Sequence, residues 1–259
     1  MLLTVLGCSG SLPSADSPAS GYLVESDGFR VLLDLGNGVL GALQRHGDPF
    51  GVDALVLSHL HPDHCADFAA LTVLRRYHPA PPYDTRARRL PVYAPSEAAT
   101  RLAAAYAPSA AERAETDLSD VYEFHRLTPG TVHIGPFELT TEQVAHPCEA
   151  FGFRLTAGSR TLAYTGDSGP CEALRKLADS ADLLLAEACW PHEPEAHPPD
   201  LHLSGLEAGQ LAAVAGVRRL VVTHVPPWAN REQMAEEAAT AFTGPVDLAF
   251  PGASYTVGC

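Results

Sequence analysis

The sequence predicts an α/β (α+β) protein: one domain over residues 1–259, built as a four-layer sandwich of two β-sheets with helices on the outer faces. Three observations predict it. A buried apolar run, Val52–Leu57, leads through a histidine-rich turn into a helical segment. A central series of short strand-like runs, Val121 to Tyr164, is broken by Gly-containing turns. After that series, helix and strand alternate twice.

The elements follow in order. Leu2–Leu6 reads as a first strand, and Gly7–Pro13 as a turn-rich loop. The start superficially resembles a lipoprotein signal ending at Cys8. It lacks a basic segment and is too short for one, so a strand is expected. Ser20–Glu25 and Arg30–Leu35 predict a hairpin turning at Ser26-Asp27-Gly28. The second strand runs into Asp34-Leu35-Gly36-Asn37-Gly38, then a short helix to His46. Asp34 has two even readings: a plain turn residue, or a carboxylate behind a metal-bound imidazole. Cys65–Tyr77 predicts a helix, with Phe68, Leu71, Val73 and Leu74 near helical spacing.

Pro79–Pro82 is a stiff connector, and Leu90–Ala94 a strand. Ser96–Ala107 predicts a helix with Ser96 as N-cap and Pro108 as stop. Ala110–Asp120 is charged and irregular. Val121–Leu127, Thr131–Ile134, Phe137–Val144, Ala150–Leu155 and Thr161–Tyr164 read as successive antiparallel strands. Pro170–Asp179 is a helix, and Leu183–Ala186 a strand running into Glu187. A Pro-rich loop leads to Ser204, an N-cap for Gly205–Ala215 with Glu207 placed for a capping box. Leu220–His224 is a buried strand and Arg231–Phe242 a helix. Val246–Phe250 and Ser254–Val257 close the chain.

Composition narrows the function. The chain is 46% hydrophobic, ample for a core, and carries a net charge of -14. Only Arg86, Arg88 and Arg89 approach a basic cluster, which argues against a large nucleic-acid partner. The six cysteines (Cys8, Cys65, Cys148, Cys171, Cys189 and Cys259) form no C-x-x-C and no disulfide framework. A reducing, cytoplasmic setting is expected. No apolar run reaches the ~18 residues of a membrane-spanning helix.

The chemistry centres on His59-Leu60-His61-Pro62-Asp63-His64, spaced H-x-H-x-D-H. On extended backbone His59 and His61 point to one side. Asp63 and His64 then open the following helix, where an Asp suits the positive end of the dipole. One such histidine reads as a satisfied polar residue. Three with an aspartate read as a metal site, and imidazole with carboxylate suits zinc rather than calcium or magnesium. His146, Asp167 and His224 also stand at strand ends, where each alone reads as structural. Together the seven suit two metals sharing one carboxylate.

Over nearly its whole length the pattern resembles the metallo-β-lactamase superfamily. That resemblance implies an αββα sandwich and a dinuclear zinc site. His59, His61 and His146 would hold one metal, Asp63, His64 and His224 the other, and Asp167 would bridge them. Zinc β-lactamases of the commonest type carry Cys in place of Asp167, so β-lactam hydrolysis is disfavoured and Cys65 reads as a small helix residue.

A narrower resemblance is to ribonuclease Z and its phosphodiester-cleaving relatives. It rests on Leu6-Gly7-Cys8-Ser9-Gly10 with Pro13, on Asp34-Leu35-Gly36, and on Glu187-Ala188 with His202-Leu203-Ser204. It implies a relay in which His202 donates a proton to the leaving oxygen and Glu187 orients it. Two departures stand out. Ribonuclease Z carries a long tRNA-gripping arm between the third metal His and the bridging Asp. Here His146 and Asp167 stand only 21 positions apart, and Val-Pro-Pro-Trp follows His224. The texture is closer to short, atypical bacterial cyclic-nucleotide phosphodiesterases.

The expected activity is therefore hydrolysis of a small phosphodiester, 3′,5′-cyclic AMP first. It would use two divalent ions, zinc or manganese, with Asp63 orienting the attacking hydroxide. Trp190 or Trp228 could stack on a base or equally lie in the core. No membrane partner is expected, and a homodimer would match the relatives. The alternatives are a tRNA 3′-end endonuclease, a lactone or thioester hydrolase (relatives that usually lack the Glu187/His202 pair), and a metal-stabilised binding module without turnover.

Overall fold

The computed structural model describes residues 1–193 and 196–258. Pro194 and Glu195 of the Pro-rich loop, and Cys259, lie outside the described residues. The first sheet takes β1 (Leu2–Gly7), β2 (Gly21–Ser26), β3 (Phe29–Leu33), β4 (Ala54–Val56), β5 (Leu90–Ala94) and β6 (Tyr122–Arg126) in chain order. The second takes β7 (Gly130–Ile134), β8 (Phe137–Gln143), β9 (Phe151–Ala157), β10 (Arg160–Tyr164), β11 (Leu183–Glu187), β12 (Leu220–Thr223) and β13 (Val246–Leu248), again in order. β14 (Ser254–Thr256) returns to the first sheet, antiparallel to β1.

Alternation along the strands builds the layers. Val5, Tyr22, Val24, Val31 and Leu33 face Phe137, Phe153, Leu155, Tyr164 and Leu185 between the sheets. Truncating a fully buried member such as Phe153 costs about 3–5 kcal/mol. The opposite faces carry helices. α1 (Val39–His46), α3 (Phe68–Tyr77) and α4 (Ala98–Tyr106) cover Leu23, Leu32, Leu55 and Leu57 of the first sheet side. The one-turn α2 (Pro62–Cys65) precedes α3, and the one-turn α5 (Ala110–Arg113) follows α4. α6 (Glu172–Ala178), α7 (Gly205–Val214) and α8 (Arg231–Ala241) cover Leu184, Ala186 and Val222 of the second. The four-layer sandwich is as expected.

Strand direction decides where the chemistry gathers. β3 and β4 run parallel, as do β10, β11 and β12. β8 lies antiparallel to β9, and β9 to β10, so β8 runs with β10. The segments following β3, β4, β8, β10, β11 and β12 therefore emerge at carboxyl ends of strands.

The details differ from the sequence reading in four places. The segment Val121–Tyr164 is not one antiparallel meander: β6 pairs parallel with β5, and the chain then crosses to the second sheet at β7. Ser96 does not cap α4, because its hydroxyl and N–H are taken by Glu149 and the cap position falls to Glu97. The helix expected over Cys65–Tyr77 is two helices, α2 and α3. Between them, the Asp67 N–H turns to the Leu35 carbonyl, and its carboxylate accepts from the Leu40 N–H. The charged stretch after Pro108 contains α5, capped by Ser109.

Candidate metal centre

β4 ends at Val56, the chain bends at Ser58, and His61, its own backbone extended, leads into Pro62 at the first position of α2. This holds His59 and His61 on one side and delivers Asp63 and His64 within the next turn. The turn packs tightly against the loop after β3. A Cβ on Gly36 would stand 2.0 Å from the Asp63 carbonyl oxygen, so only glycine fits. Gly10 does the same for the other wall, where a Cβ would meet the His224 carbonyl oxygen at 2.3 Å. Asp34 and His224 both have positive φ, 57° and 55°. Such strained backbone at non-Gly residues persists where its surroundings hold it.

Seven side chains converge. The first set of ligand atoms comes from His59, His61, His146 and Asp167, the second from Asp63, His64, Asp167 and His224. Within each set, the atoms all lie within 4.8 Å of one another. His61 Nδ1 lies 2.9 Å from His59 Nε2 and 3.2 Å from His146 Nε2. Asp167 belongs to both sets. Its Oδ2 is 3.7 Å from His59 Nε2 and 3.2 Å from His224 Nε2, and its Oδ1 is 3.2 Å from His64 Nε2. Asp63 Oδ2 stands 3.5 Å from His64 Nε2 and 3.8 Å from His224 Nε2.

Four rings are fixed from behind through Nδ1. His64 Nδ1 donates to Asp34 at 2.8 Å, His59 Nδ1 faces Ser58 Oγ at 3.1 Å, and His224 Nδ1 faces Ser20 Oγ at 2.9 Å. His146 Nδ1 donates to the Leu201 carbonyl at 3.0 Å. Such contacts select the tautomer and leave Nε2 as a lone-pair donor toward the centre.

The residues fit bound metal cations. Asp167 Oδ1, His64 Nε2 and His224 Nε2 are buried with no hydrogen-bond partner among the described residues, a costly state unless something positive sits between them. Imidazole and carboxylate donors suit zinc. Electrostatics agree. Burial holds the pKa values of His59, His61 and His146 below the ordinary imidazole range, so these are neutral donors. Burial also works against charge on Asp63 and Asp167. It is outweighed by His64 and His224 at Asp63, and by His224, His64 and His59 at Asp167, so both carboxylates ionise below the usual range.

The pair from the last motif adjoins this cluster. His202 Nδ1 is 3.0 Å and 3.1 Å from the two oxygens of Glu187, and 3.9 Å from Asp167 Oδ2. Glu187 is fully buried at the end of β11, where the Ser168 N–H donates to it at 2.6 Å. The capping box of Ser204 and Glu207 is formed and sets the start of α7 just behind His202.

The seven expected ligands, Glu187 and His202 thus meet at one place, with Asp34 directly behind His64. Several partners were invisible in the sequence: Ser20, Tyr164 and the Leu201 carbonyl act through distant contacts, and Ser58, next to His59, carries no motif of its own. Of the tryptophans, Trp228 is 70% exposed and Trp190 is partly buried, so neither belongs to the core. Trp190 stacks on His197 at 4.4 Å and meets the His202 ring edge-on at 5.1 Å. Among the described residues, no helix is long and apolar enough to cross a membrane.

Comparison with known proteins agrees with this geometry. A family described as "Beta-lactamase superfamily domain" matches residues 29–225. An uncharacterized protein of Mycobacterium tuberculosis is 50% identical over 247 residues, covering 94% of this chain and 88% of its own. The probable metallo-hydrolase YhfI of Bacillus subtilis is 30% identical, over 97% of this chain and 98% of its own. The crystal structure of YhfI superposes with a TM-score of 0.85 at 29% identity over 98% of each chain. A ribonuclease Z of Methanopyrus kandleri is 28% identical over 93% of both chains.

Proposed function

This chain belongs to the beta-lactamase superfamily, and from that membership we propose that it is a metal-dependent hydrolase cleaving a small phosphodiester, with 3′,5′-cyclic AMP the foremost substrate. The observation that carries the reading is the His202–Glu187 pair, 3.0 Å apart, set beside Asp167 of the seven-residue cluster. Hydrolysis of a phosphodiester needs an acid for an alkoxide leaving group, and this pair supplies one.

His59, His61, His146 and Asp167 would hold one cation, and Asp63, His64, His224 and Asp167 the second. Two such ions, zinc or manganese, would supply activation of water and neutralisation of the phosphoryl oxygens. The chain's own groups do the rest. Asp63 accepts a hydrogen bond from the attacking water and sets its direction. The attacking water gives one proton to solvent, its oxygen bonds to phosphorus as the bond to the leaving oxygen breaks, and the imidazolium of His202 gives that leaving oxygen its proton. Glu187 holds the ring through Nδ1 and stabilises its charge.

The decisive experiment is turnover of bis(p-nitrophenyl) phosphate and cyclic AMP by the metal-loaded protein, with Asp63→Ala and His202→Ala beside it. Turnover of both, abolished in the first variant and reduced in the second, is expected. Silence on both with two metals bound would move the search to lactones and thioesters.

A second reading is tRNA 3′-end cleavage, favoured by the similarity to a ribonuclease Z. Against it, the 21 positions from His146 to Asp167 hold only β9 and β10, and the net charge is -14. Incubation with unprocessed tRNA separates the two.

A further inference from the structure

A cleft of about 480 Å³ opens beside His61, whose ring meets that of His146 at 5.0 Å. It falls within the roughly 300–1,000 Å³ of small-molecule sites. Its apolar wall is Leu60, Pro95 and Cys148. Leu60 separates His59 from His61 and Cys148 follows His146 by two, so the loops that carry the first metal set also shape the cleft.

Its polar wall is Ser96, Glu97, Arg101 and Glu149. Glu149 is fixed through one oxygen: Oε2 accepts from the Ser96 N–H at 2.9 Å and the Ser96 hydroxyl at 2.6 Å. Its Oε1 accepts no hydrogen bond among the described residues. Arg101 is fixed likewise. Its Nε and Nη2 both donate to the Leu60 carbonyl, at 3.1 and 2.7 Å, and it makes no ion pair among the described residues. Nη1 is left as a donor. The wall thus offers one pre-positioned acceptor and one pre-positioned donor, with both side chains already ordered.

Charge decides what fits. Two carboxylates face one guanidinium, so the wall is net negative and repels a second phosphate. An apolar surface with one donor and one acceptor instead suits a flat, neutral ring with both kinds of group on its edge. We infer that this cleft seats the nucleobase of the substrate, with Glu149 and Arg101 reading its hydrogen-bonding edge. The inference rests on the phosphodiesterase reading and names the substrate class of that site. Glu149 accepts from an amino or ring N–H, and Arg101 Nη1 donates to a ring nitrogen or carbonyl. The phosphate lies at the cluster, and the leaving oxygen faces His202.

The test compares base-bearing esters with one that has no base. Metal-loaded wild type, Glu149→Gln and Arg101→Gln are assayed on cyclic AMP, cyclic GMP, thymidine 5′-(p-nitrophenyl) phosphate and bis(p-nitrophenyl) phosphate. Glu149→Gln keeps an oxygen for Ser96 and so preserves the loop. The expected result is a tenfold or larger fall, in both variants, in the ratio of kcat/KM for the best base-bearing ester to that for bis(p-nitrophenyl) phosphate. An unchanged ratio in both variants overturns the inference, as does a wild type that cleaves the generic ester and refuses every base-bearing one. A wild type inert on all four esters removes the phosphodiesterase reading itself, and the inference with it.

Discussion

Asp34 and His64 are joined by a buried hydrogen bond of 2.8 Å between Oδ2 and Nδ1. The same carboxylate accepts from the Ser58 N–H at 2.7 Å, the Ser58 hydroxyl at 2.8 Å and the Tyr164 hydroxyl at 2.8 Å. One side chain thus ties β3, the loop after β4 and β10 together behind the cluster. Asp34→Ala strands four donors. Metal affinity is expected to fall about 10–100-fold. The metal-free protein is expected to lose about 3–5 kcal/mol. Metal content at fixed free metal, and urea midpoints after chelation, measure the two effects. Unchanged metal content would show that Asp34 merely closes the turn.

The two metal sets are expected to differ in their proton balance. Burial works against charge on His64, but Asp167 and Asp34 outweigh it and hold its pKa well above the ordinary imidazole range. His59, His61 and His146 are shifted the other way. At pH 7 a cation bound by the first set meets neutral rings, whereas one bound by Asp63, His64 and His224 displaces a proton from His64 Nε2. Zinc titration calorimetry in two buffers of different ionisation enthalpy should show proton release for one of the two equivalents and little for the other. Identical heats in both buffers would contradict this.

The layers, nearly every strand and the H-x-H-x-D-H turn were legible in the sequence because each has a local signal, whereas His146, Asp167 and His224 each read alone as structural and entered the ligand sets only through the family resemblance. Strand runs alternate, and the H-x-H-x-D-H turn sits between an apolar run and a helix. What was not legible is what depends on distant pairing. Nothing near Tyr122 says that its strand joins β5 in parallel rather than starting the next meander. Ser96 has every local mark of an N-cap, and only Glu149, 53 positions on, takes its hydroxyl away. The two even readings of Asp34 are separated by His64, 30 positions later, whose Nδ1 donates to its carboxylate. Ser20 behind His224 carries no sequence mark at all.

Cys65 sits beside His64 yet is expected to be chemically quiet. Burial pushes its thiol pKa up to about 11, only partly opposed by Arg101 and His64, and Sγ donates to the His61 carbonyl at 3.3 Å. A thiolate-specific reagent at pH 8 should leave Cys65 unlabelled in the folded protein and label it fully in urea, as read by peptide mass spectrometry. Rapid labelling of the native chain would mean that α2 opens readily.

Loss of the relay should act on chemistry rather than on metal. His202→Ala is expected to lower kcat about 10²–10⁴-fold. Both metals should remain, because His202 belongs to neither of the two sets joined by Asp167 and groups only with Glu187 and Cys189. Metal analysis alongside kinetics separates this from collapse of the centre. A variant that loses metal in step with activity would make His202 structural.

The same pair should leave a signature in stability against pH. Burial lowers the His202 pKa, but Glu187 first, then the Cys189 thiol and Asp167, outweigh it and push the pKa up to about 12. An unfolded histidine titrates near 6.5. Between these values the folded chain holds a proton that the unfolded chain has lost, so unfolding releases it and rising pH favours unfolding. The contribution of His202 is therefore complete below about pH 6.5 and declines as pH climbs toward 12. In His202→Ala the proton that can remain is one on Glu187, its pKa raised by burial, so the variant's own decline ends once Glu187 has ionised. For the metal-free proteins, the stability gap between wild type and His202→Ala should be smaller at pH 10 than at pH 6, the narrowing falling above the pH at which Glu187 ionises in the variant. Urea midpoints at the two values measure it. A gap that widens with pH would mean that the imidazole is held neutral in the fold, and would remove its standing as the proton donor.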